Sequence, residues 1–480
     1  MTYITLKFYV MVAAILLAYY TLPLRTRWIV LLGGSIGFYG VVAPAALPML
    51  IATIVVSYAG ARVVDGLRGR GRIAKGILAI CVALVLIPML AVKNGNLVIT
   101  GLLKKPAVLW IVPMGISFYT LQIIAYLVDV HKGRIAPERN LLKYALFVSF
   151  FPQIIQGPIP RYDQLQSQLT RGNRFDERGF TKGLQLILWG FFLKLMVADK
   201  ASVIVNAIFD NSDIYKGMYV IVGGVLYSVQ LYADFLACVT LSQGVAALFG
   251  VQLADNFKRP YGATSIKEFW RRWHISLSTW LRDYIYIPLG GNRKGTLAKY
   301  KNLIITFAFS GIWHGAGVQY LVWGLMHAGY QIVGEMTAGL RAKLYELVGM
   351  PEGDFTRRMI QTLATFAWVM LAWIVFRANT LAQGVDMIAS VFRVHNPWIL
   401  FDGSLFNLGL GWQEWAVLLL SVGILFGVSI WQKHGCIRDW ILSQHALLRW
   451  SIYIAVICGI WILGTYGYGF NAQDFIYGGF

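Results

Sequence analysis

Long apolar runs recur along this chain, and short segments carrying most of its charge separate them. A helix needs about 20 apolar residues to cross a bilayer core of about 30 Å, and several runs approach or exceed that length. The apolar residues are continuous instead of alternating, which predicts membrane-spanning helices and not the strands of a barrel. The predicted spans are residues 3–22, 28–43, 44–63, 76–92, 107–128, 183–197, 219–249, 359–376, 415–431 and 450–466.

The apolar pattern is interrupted over residues 141–160, whose sequence is LLKYALFVSFFPQIIQGPIP. Pro152, Gly157, Pro158 and Pro160 break this run, because proline lacks a backbone donor and disrupts a helix. We therefore expect a broken or re-entrant segment. Broken backbone at membrane depth must lie against protein or a water-filled cavity, so a cavity is expected here. The alternative is an ordinary span with a kink.

A second interruption follows the apolar residues 303–313, which are too few to cross a membrane. The sequence His-Gly-Ala-Gly begins at His314, and another apolar run covers residues 320–336. Basic residues flank both ends of this unit. The pattern predicts a hairpin that enters the membrane, turns at His314 and returns, which places this histidine in protein or water and not in lipid.

Charge, histidine and aromatic residues meet in the stretch 264–301, TSIKEFWRRWHISLSTWLRDYIYIPLGGNRKGTLAKYK. When this stretch is placed on a helix at about 100° per residue, its apolar residues fall on one side and its charged residues on the other, and we call these sides the apolar arc and the polar arc. The pattern predicts one amphipathic helix at a membrane surface. His274 falls at the edge of the apolar arc, beside Lys267, Arg271 and Ser278. The apolar arc holds Ile266, Phe269, Trp270, Trp273, Leu277, Trp280, Leu281 and Tyr284, and the polar arc holds Lys267, Glu268, Arg271, Arg272 and Arg282.

Composition supports a polytopic membrane protein. Hydrophobic residues make up 58% of the 480 residues and charged residues only 13%, against about 45–50% apolar residues in soluble domains. The net charge of +20 comes from basic loops between apolar runs, so the positive-inside rule explains it and no nucleic-acid partner is expected. The alternation of basic and weakly charged loops predicts that the N-terminus lies outside. We predict a single integral membrane domain over residues 1–480.

His314 is the strongest candidate for chemistry, because ionisable residues inside a membrane are costly and rare. An imidazole with an ordinary pKa of about 6.5 can take a proton from a hydroxyl nucleophile and return it to a leaving group. A core histidine bonded to a carbonyl is the alternative. No zinc-type spacing surrounds His327 or the four cysteines, and we predict no metal site.

The cationic face around His274 suits an anionic donor. We predict that Arg271, Arg272, Trp273, Ser278 and Arg282 bind this donor. A solvated helix face contacting lipid headgroups is the alternative reading of the same charges.

Four ordered motifs resemble the membrane-bound O-acyltransferase family and its bacterial branch. They are FFPQIIQGPI, DNFKRPY, the run EFWRRWHISLSTWLRDYIYIPLGGNRKG, and SGIWHGAG with its later WGLMHA. The resemblance implies that His314 is the catalytic histidine and His274 a second functional residue. It also implies an all-α fold: a ring of about 11 transmembrane helices, with re-entrant and amphipathic helices, around a central funnel or tunnel.

The resemblance further implies a protein of the bacterial cytoplasmic membrane that holds no permanent cofactor. Its acyl donor would be acetyl-CoA or an acyl carrier protein thioester on the cytoplasmic side. Its partners would be membrane lipid, a polysaccharide acceptor and an extracytoplasmic acyltransferase of the SGNH type. The expected function is transfer of an acetyl group to hydroxyls of that polysaccharide, directly or through the partner.

Two departures from the family pattern leave alternatives open. A DFSGYSD-like segment of relatives reads DFLACVT here, starting at Asp234, and the C-terminus reads FIYGGF. Tyr477 is a candidate acyl relay, with an aromatic anchor at the membrane interface as its alternative. The alternative functions are D-alanyl transfer to teichoic acid and a transporter or flippase without covalent chemistry.

Overall fold

The computed structural model describes residues 3–108, 110–466 and 475, and the regular elements within these residues are all helical. Three π-helical segments cover Leu97–Leu102, Leu193–Ala198 and Arg282–Tyr286, and short 3-10 turns join other helices. The α-helices are α1 Leu6–Thr21, α2 Arg27–Val42, α3 Leu47–Gly66, α4 Gly71–Asn96, α5 Ile116–His131, α6 Leu141–Ser149, α7 Phe151–Ile154, α8 Tyr162–Thr170, α9 Glu177–Phe192, α10 Asp199–Asp210, α11 Met218–Leu248, α12 Ile266–Arg272, α13 Ile275–Leu281, α14 Thr296–His314, α15 Val318–Met336, α16 Ala338–Leu347, α17 Phe355–Arg377, α18 Leu381–Arg393, α19 Trp412–Trp431, α20 Ile437–Ser443 and α21 Ala446–Leu463.

Six of the described helices are long and apolar enough to cross a membrane. They are α3 with its preceding turn, α4, α11, α17, α19 and α21, and α1, α2 and α5 are shorter apolar helices. The predicted all-helical, multi-pass architecture is therefore confirmed. The ring of about 11 spans and its central funnel stay predictions.

The start of α5 differs from the predicted span over residues 107–128. The helix begins at Ile116, after Gly115 in a left-handed conformation with φ of 72°. Pro106 and Pro113 precede it, and proline restricts the residue before it to extended backbone. The N-terminal part of the predicted span is therefore wrong.

The chain divides into two compact units. The first comprises Met1–Gly190, Cys238–Asp255 and Asp474–Phe480, and the second comprises Phe191–Ala237 and Asn256–Gln473. Within the first unit, the later segment is hydrogen-bonded to the earlier one: the Tyr20 hydroxyl donates to the Leu248 carbonyl at 2.7 Å, and Asn173 Nδ2 donates to the Phe249 carbonyl at 3.0 Å. The prediction of one domain over residues 1–480 stays a prediction.

The predicted break within residues 141–160 is confirmed in the first unit. Helix α6 ends at Ser149 and α7 is a single turn, so neither crosses a membrane. Side chains satisfy the freed backbone groups: the Phe151 N–H donates to Ser35 Oγ at 3.1 Å, and the Pro152 carbonyl accepts from the Tyr3 hydroxyl at 2.8 Å and from Ser242 Oγ. These bonds explain how the break is tolerated.

The predicted hairpin is also confirmed, because α14 ends at His314 and α15 runs back. Its first arm is longer than the apolar run 303–313, since α14 begins at Thr296 and has 19 residues, but α14 is not among the six candidate spans. The first residues of α14 include lysines, so they do not belong to the apolar run, but lysine has good helix propensity. One of them, Lys299, pairs with Glu335 near the end of α15.

The two arms of the hairpin approach closely where glycines remove the side chain. A Cβ atom at Gly311 would lie 2.4 Å from the Tyr320 carbonyl oxygen. A Cβ atom at Gly324 would lie 2.2 Å from the carbonyl oxygen of Phe307. Both distances are far below van der Waals contact, so this crossing requires glycine at these two positions.

The single amphipathic helix predicted over residues 264–301 is wrong. The stretch forms α12, α13, a π-helical segment and the start of α14. The helix breaks at His274, which has a left-handed backbone with φ of 43°. A left-handed conformation costs a residue other than glycine about 1–2 kcal/mol, so neighbouring contacts must hold the break in place.

Candidate active site

Asn256 holds the break at His274 from a separate loop in the second unit. Its backbone carbonyl accepts from the Ile275 N–H at 2.9 Å, and its side-chain Oδ1 accepts from the Ser276 N–H at 3.0 Å. The Lys258 N–H donates to the Arg272 carbonyl at 2.9 Å. This loop therefore takes up backbone groups on both sides of His274 and fixes the direction of its side chain.

His274 is only 1% exposed, so it is a buried residue and not part of the face of a surface helix. The Phe235 ring lies 4.8 Å from the imidazole centroid at 85°, and the Trp313 ring lies 6.2 Å away. His274 is outside the six candidate spans, and burial lowers its pKa from 6.5 to about 3. The imidazole is therefore neutral at ordinary pH and does not add to the cationic face.

His314 is the last residue of α14 and is 2% exposed. Three rings surround it: Trp313 at 4.8 Å, Trp323 at 5.0 Å and Phe376 at 5.4 Å between ring centroids. The latter two meet the imidazole nearly at right angles. An aromatic lining excludes water, and in the resulting low dielectric each polar contact made by the imidazole is strengthened.

Trp313 brings the two predicted histidines to one place. Its indole contacts both His274 and His314, so the imidazoles lie against the same ring. Trp313 itself is 2% exposed. The structure thus brings the two histidines against one ring, although 39 residues of sequence separate them.

A third histidine shares the Trp323 ring with His314. His327 on α15 is fully buried, and its Nδ1 accepts a hydrogen bond from Trp270 Nε1 at 3.2 Å. Rings of Phe269, Trp323 and Trp373 also lie against it. This hydrogen bond joins α12 to the hairpin, so His327 helps to hold the two elements together.

The predicted donor-binding residues separate into exposed and buried groups. Arg271 is exposed, and the Arg282 side chain is 60% exposed and pairs with Asp283. Arg272 pairs with Glu268 on its own helix. Their binding of a donor stays a prediction.

Trp273 and Ser278 lie closer to the histidines. Trp273 is 1% exposed and stacks on Phe269 at 5.5 Å. Ser278 Oγ donates to the carbonyl of Trp273 at 3.2 Å, across the break. The Trp273 indole is part of the aromatic core of this unit, and its role in donor binding also stays a prediction.

Sequence reasoning missed a buried ionic cluster in the same unit. Lys194 Nζ lies 2.8 Å from Asp234 Oδ1 and 2.9 Å from Asp199 Oδ1. A lysine and an aspartate five residues apart in an apolar run are the signal that was available. Asn256 was visible only as part of the DNFKRPY motif, and Tyr477 lies outside the described residues.

The arrangement can move a proton inside an apolar enclosure. Two buried imidazoles lie beside one indole, and a neutral imidazole accepts a proton from a hydroxyl group. Within residues 3–108, 110–466 and 475, no group of three histidine, cysteine or acidic side chains is placed to hold a metal ion.

Comparison with known proteins gives a consistent assignment. Residues 134–355 match the family model described as the membrane-bound O-acyltransferase family, and this stretch contains both His274 and His314. A probable alginate O-acetylase AlgI of Azotobacter vinelandii is 34% identical over 394 residues, which is 80% of this chain and 76% of that protein.

Other relatives match a smaller share of their own length. A probable alginate O-acetylase AlgI of Pseudomonas fluorescens is 37% identical over 299 residues, 62% of this chain and 57% of that protein. A peptidoglycan O-acetyltransferase of Helicobacter pylori is 35% identical over 307 residues, 58% of this chain and 56% of that protein. The chain therefore matches little more than half the length of these two proteins.

Proposed function

This chain belongs to the membrane-bound O-acyltransferase family, and we propose that it moves an acetyl group from a cytoplasmic thioester to hydroxyls of an extracytoplasmic polysaccharide. Delivery is direct or passes through a partner acyltransferase. The observation that carries the proposal is the pair of buried histidines joined by Trp313 within the matched family region. The names of the relatives, which act on alginate and peptidoglycan, support a polysaccharide acceptor.

In the proposed reaction His314 is the general base. It accepts the proton of the acceptor hydroxyl while the hydroxyl oxygen attacks the thioester carbonyl carbon. The tetrahedral intermediate then collapses and the carbon–sulfur bond breaks. The proton passes from His314 to the departing thiolate, so the products are an ester and a thiol, and the histidine returns to its neutral form.

The donor approaches from the cytoplasmic side in this proposal. Phosphates of coenzyme A, or acidic groups of a carrier protein, are attracted to the exposed guanidinium groups of Arg271 and Arg282. The aromatic rings around His314 exclude water, which protects the thioester from hydrolysis. Tyr477 is the proposed relay if the acyl group passes through the protein before it reaches the acceptor or the partner.

The test compares wild type and His314→Ala in membranes supplied with labelled acetyl-CoA or with a labelled D-alanyl carrier protein. We expect wild type to transfer the acetyl label, and His314→Ala to lose 10²-fold or more of this rate, as expected for removal of a general base. Binding of the donor should persist in the variant, because the exposed arginines are unchanged.

Each other outcome has a defined meaning. Full acetyl transfer by His314→Ala would overturn the assignment of the base. Transfer of D-alanine but not acetyl would favour the teichoic acid reaction. Movement of an unmodified substrate without any covalent product would support the transporter alternative.

A further inference from the structure

The cluster around Lys194 is unusual for its complete burial. The side chains of Lys194, Asp199 and Asp234 are 2%, 3% and 1% exposed. Lys194 Nζ bridges the two carboxylates at 2.9 and 2.8 Å, which are lengths of charge-assisted hydrogen bonds. Buried charges within an apolar protein are costly and mark functional positions by default.

The three residues come from three successive helical elements of the second unit. Lys194 lies in the π-helical segment Leu193–Ala198, Asp199 begins α10, and Asp234 lies in the middle of α11. The ammonium group therefore ties α11 to the element that precedes α10. A π-helical segment displaces side chains from the regular helical register, and such segments frequently occur at functional sites.

The next residue after Asp234 connects this cluster to the candidate active site. Phe235 is fully buried, and its ring lies 4.8 Å from the His274 imidazole at 85°. The same ring lies 5.1 Å from Phe257, in the loop that also contains Asn256. The turn of α11 that Lys194 holds is thus the turn that supplies one wall of the His274 enclosure.

We propose that Lys194 is a positioning residue for His274: by holding Asp234 it fixes the turn of α11 that places Phe235 against the imidazole. The geometric part of this proposal is independent of the proposed function, whereas an effect on turnover rests on it. The proposal assigns the ionic cluster a specific local role, which differs from general support of the fold.

The test measures how fast diethyl pyrocarbonate modifies each histidine of the purified full-length protein, with mass spectrometry of the resulting peptides as the readout. This reagent attacks neutral imidazole, so a buried histidine reacts only when its enclosure opens. We expect Lys194→Met to raise the rate at His274 about tenfold, because the lost charge-assisted bonds hold the turn of α11. The rate at His327 should stay unchanged, since rings of α12, α15 and α17 enclose it.

Three further variants make the experiment selective. Phe235→Ala should raise the rate at His274 in the same way, because it removes the wall directly. Lys200→Met is the matched control: Lys200 is a buried lysine on α10 outside the cluster, and its loss should leave the rate at His274 unchanged. Asp234→Asn removes the charge of one carboxylate and leaves Lys194 paired with Asp199. It therefore tests the same contact if Lys194→Met does not fold.

Two results would overturn the proposal. One is an unchanged rate at His274 in folded Lys194→Met and Asp234→Asn. The other is an equal rise at His274 and His327, which would show general loosening of the fold. The modification requires no acyl transfer, so a failure of the proposed function leaves this test intact.

Discussion

At the scale of single residues, burial of His274 gives it a defined effect on stability. In the unfolded chain its pKa is about 6.5, and burial lowers it to about 3 in the folded protein. The unfolded state therefore binds the proton first as the pH falls. Stability from this residue is complete above pH 6.5 and is lost toward pH 3, at about 1.4 kcal/mol per pH unit.

We therefore expect His274→Gln to flatten the dependence of unfolding temperature on pH. Wild type should lose stability steeply between pH 6.5 and 4, and the variant less steeply, because its amide does not titrate. The measurement is thermal unfolding in detergent at a series of pH values. His395→Gln is the control, since this histidine lies on an exposed loop, and parallel curves for wild type and His274→Gln would contradict the prediction.

The sequence marked His274 and His314 as candidate site residues, but it did not predict how they are held. His274 and His314 stood out through their motifs and through the cost of burying an imidazole. The left-handed backbone of His274 was not predictable, because its stabilising partners lie in the loop at Asn256, 18 residues earlier. Helical periodicity describes contacts within one helix and carries no information about such tertiary hydrogen bonds.

At the scale of elements, the close crossing of α14 and α15 predicts which glycine on α15 can be replaced. Gly324→Ala should destabilise the protein by about 1–3 kcal/mol, because the new Cβ atom would overlap the Phe307 carbonyl oxygen and push the arms apart. Gly329 lies on the same helix with nothing within 4 Å of a Cβ atom. Gly329→Ala should therefore leave stability unchanged or raise it by up to about 1 kcal/mol.

Thermal unfolding of the two glycine variants beside wild type provides the measurement. Gly324→Ala should unfold at a lower temperature than wild type. Gly329→Ala should unfold at the temperature of wild type or slightly above it. Equal temperatures for both variants would mean that the arms do not cross closely at Gly324. Acyl transfer should fall in Gly324→Ala as well, since α14 ends at His314.

Apolar patterning predicted the elements well where they are long. The broken segment and the hairpin were predicted because proline and glycine punctuate their apolar runs. The division of residues 264–301 into several pieces was missed, since both arcs of an ideal helix were present. That amphipathic pattern is real, but tertiary bonds to the break are stronger than the local preference for a continuous helix.

At the scale of the whole molecule, the positive-inside rule predicts the orientation of the loops. Cys436 lies in an exposed basic loop between α19 and α20, which this rule places in the cytoplasm. In a variant with Cys81, Cys238 and Cys458 changed to serine, an impermeant maleimide should label Cys436 only after the membrane is permeabilised. Labelling in intact cells would invert the predicted orientation.

The opposite side supplies the control for this labelling. Ser404 lies in the connection between α18 and α19, at the other end of the latter helix. Ser404→Cys in a background without native cysteines should react with the same reagent in intact spheroplasts. Absence of labelling at Ser404→Cys in intact spheroplasts would contradict the predicted outward orientation of this connection.

The division into two compact units could not be predicted from the sequence. Apolar patterning treats the chain as a series of neighbours, whereas the first unit combines residues before 190 with Cys238–Asp255. Two of the boundaries, after Gly190 and after Ala237, fall within α9 and α11 and not in polar linkers. No change in composition marks such a boundary, because one apolar helix continues through it.

This interleaving has a consequence for how the protein is made. When the ribosome has completed Gly190, the carbonyl partners of Tyr20 and Asn173 at Leu248 and Phe249 do not yet exist. At 5–20 residues per second, the missing segment ends roughly 3–13 s later. During that interval the nascent first unit depends on the insertion machinery to shield its incomplete surface, and slow translation across residues 191–255 would prolong its exposure to quality-control proteases.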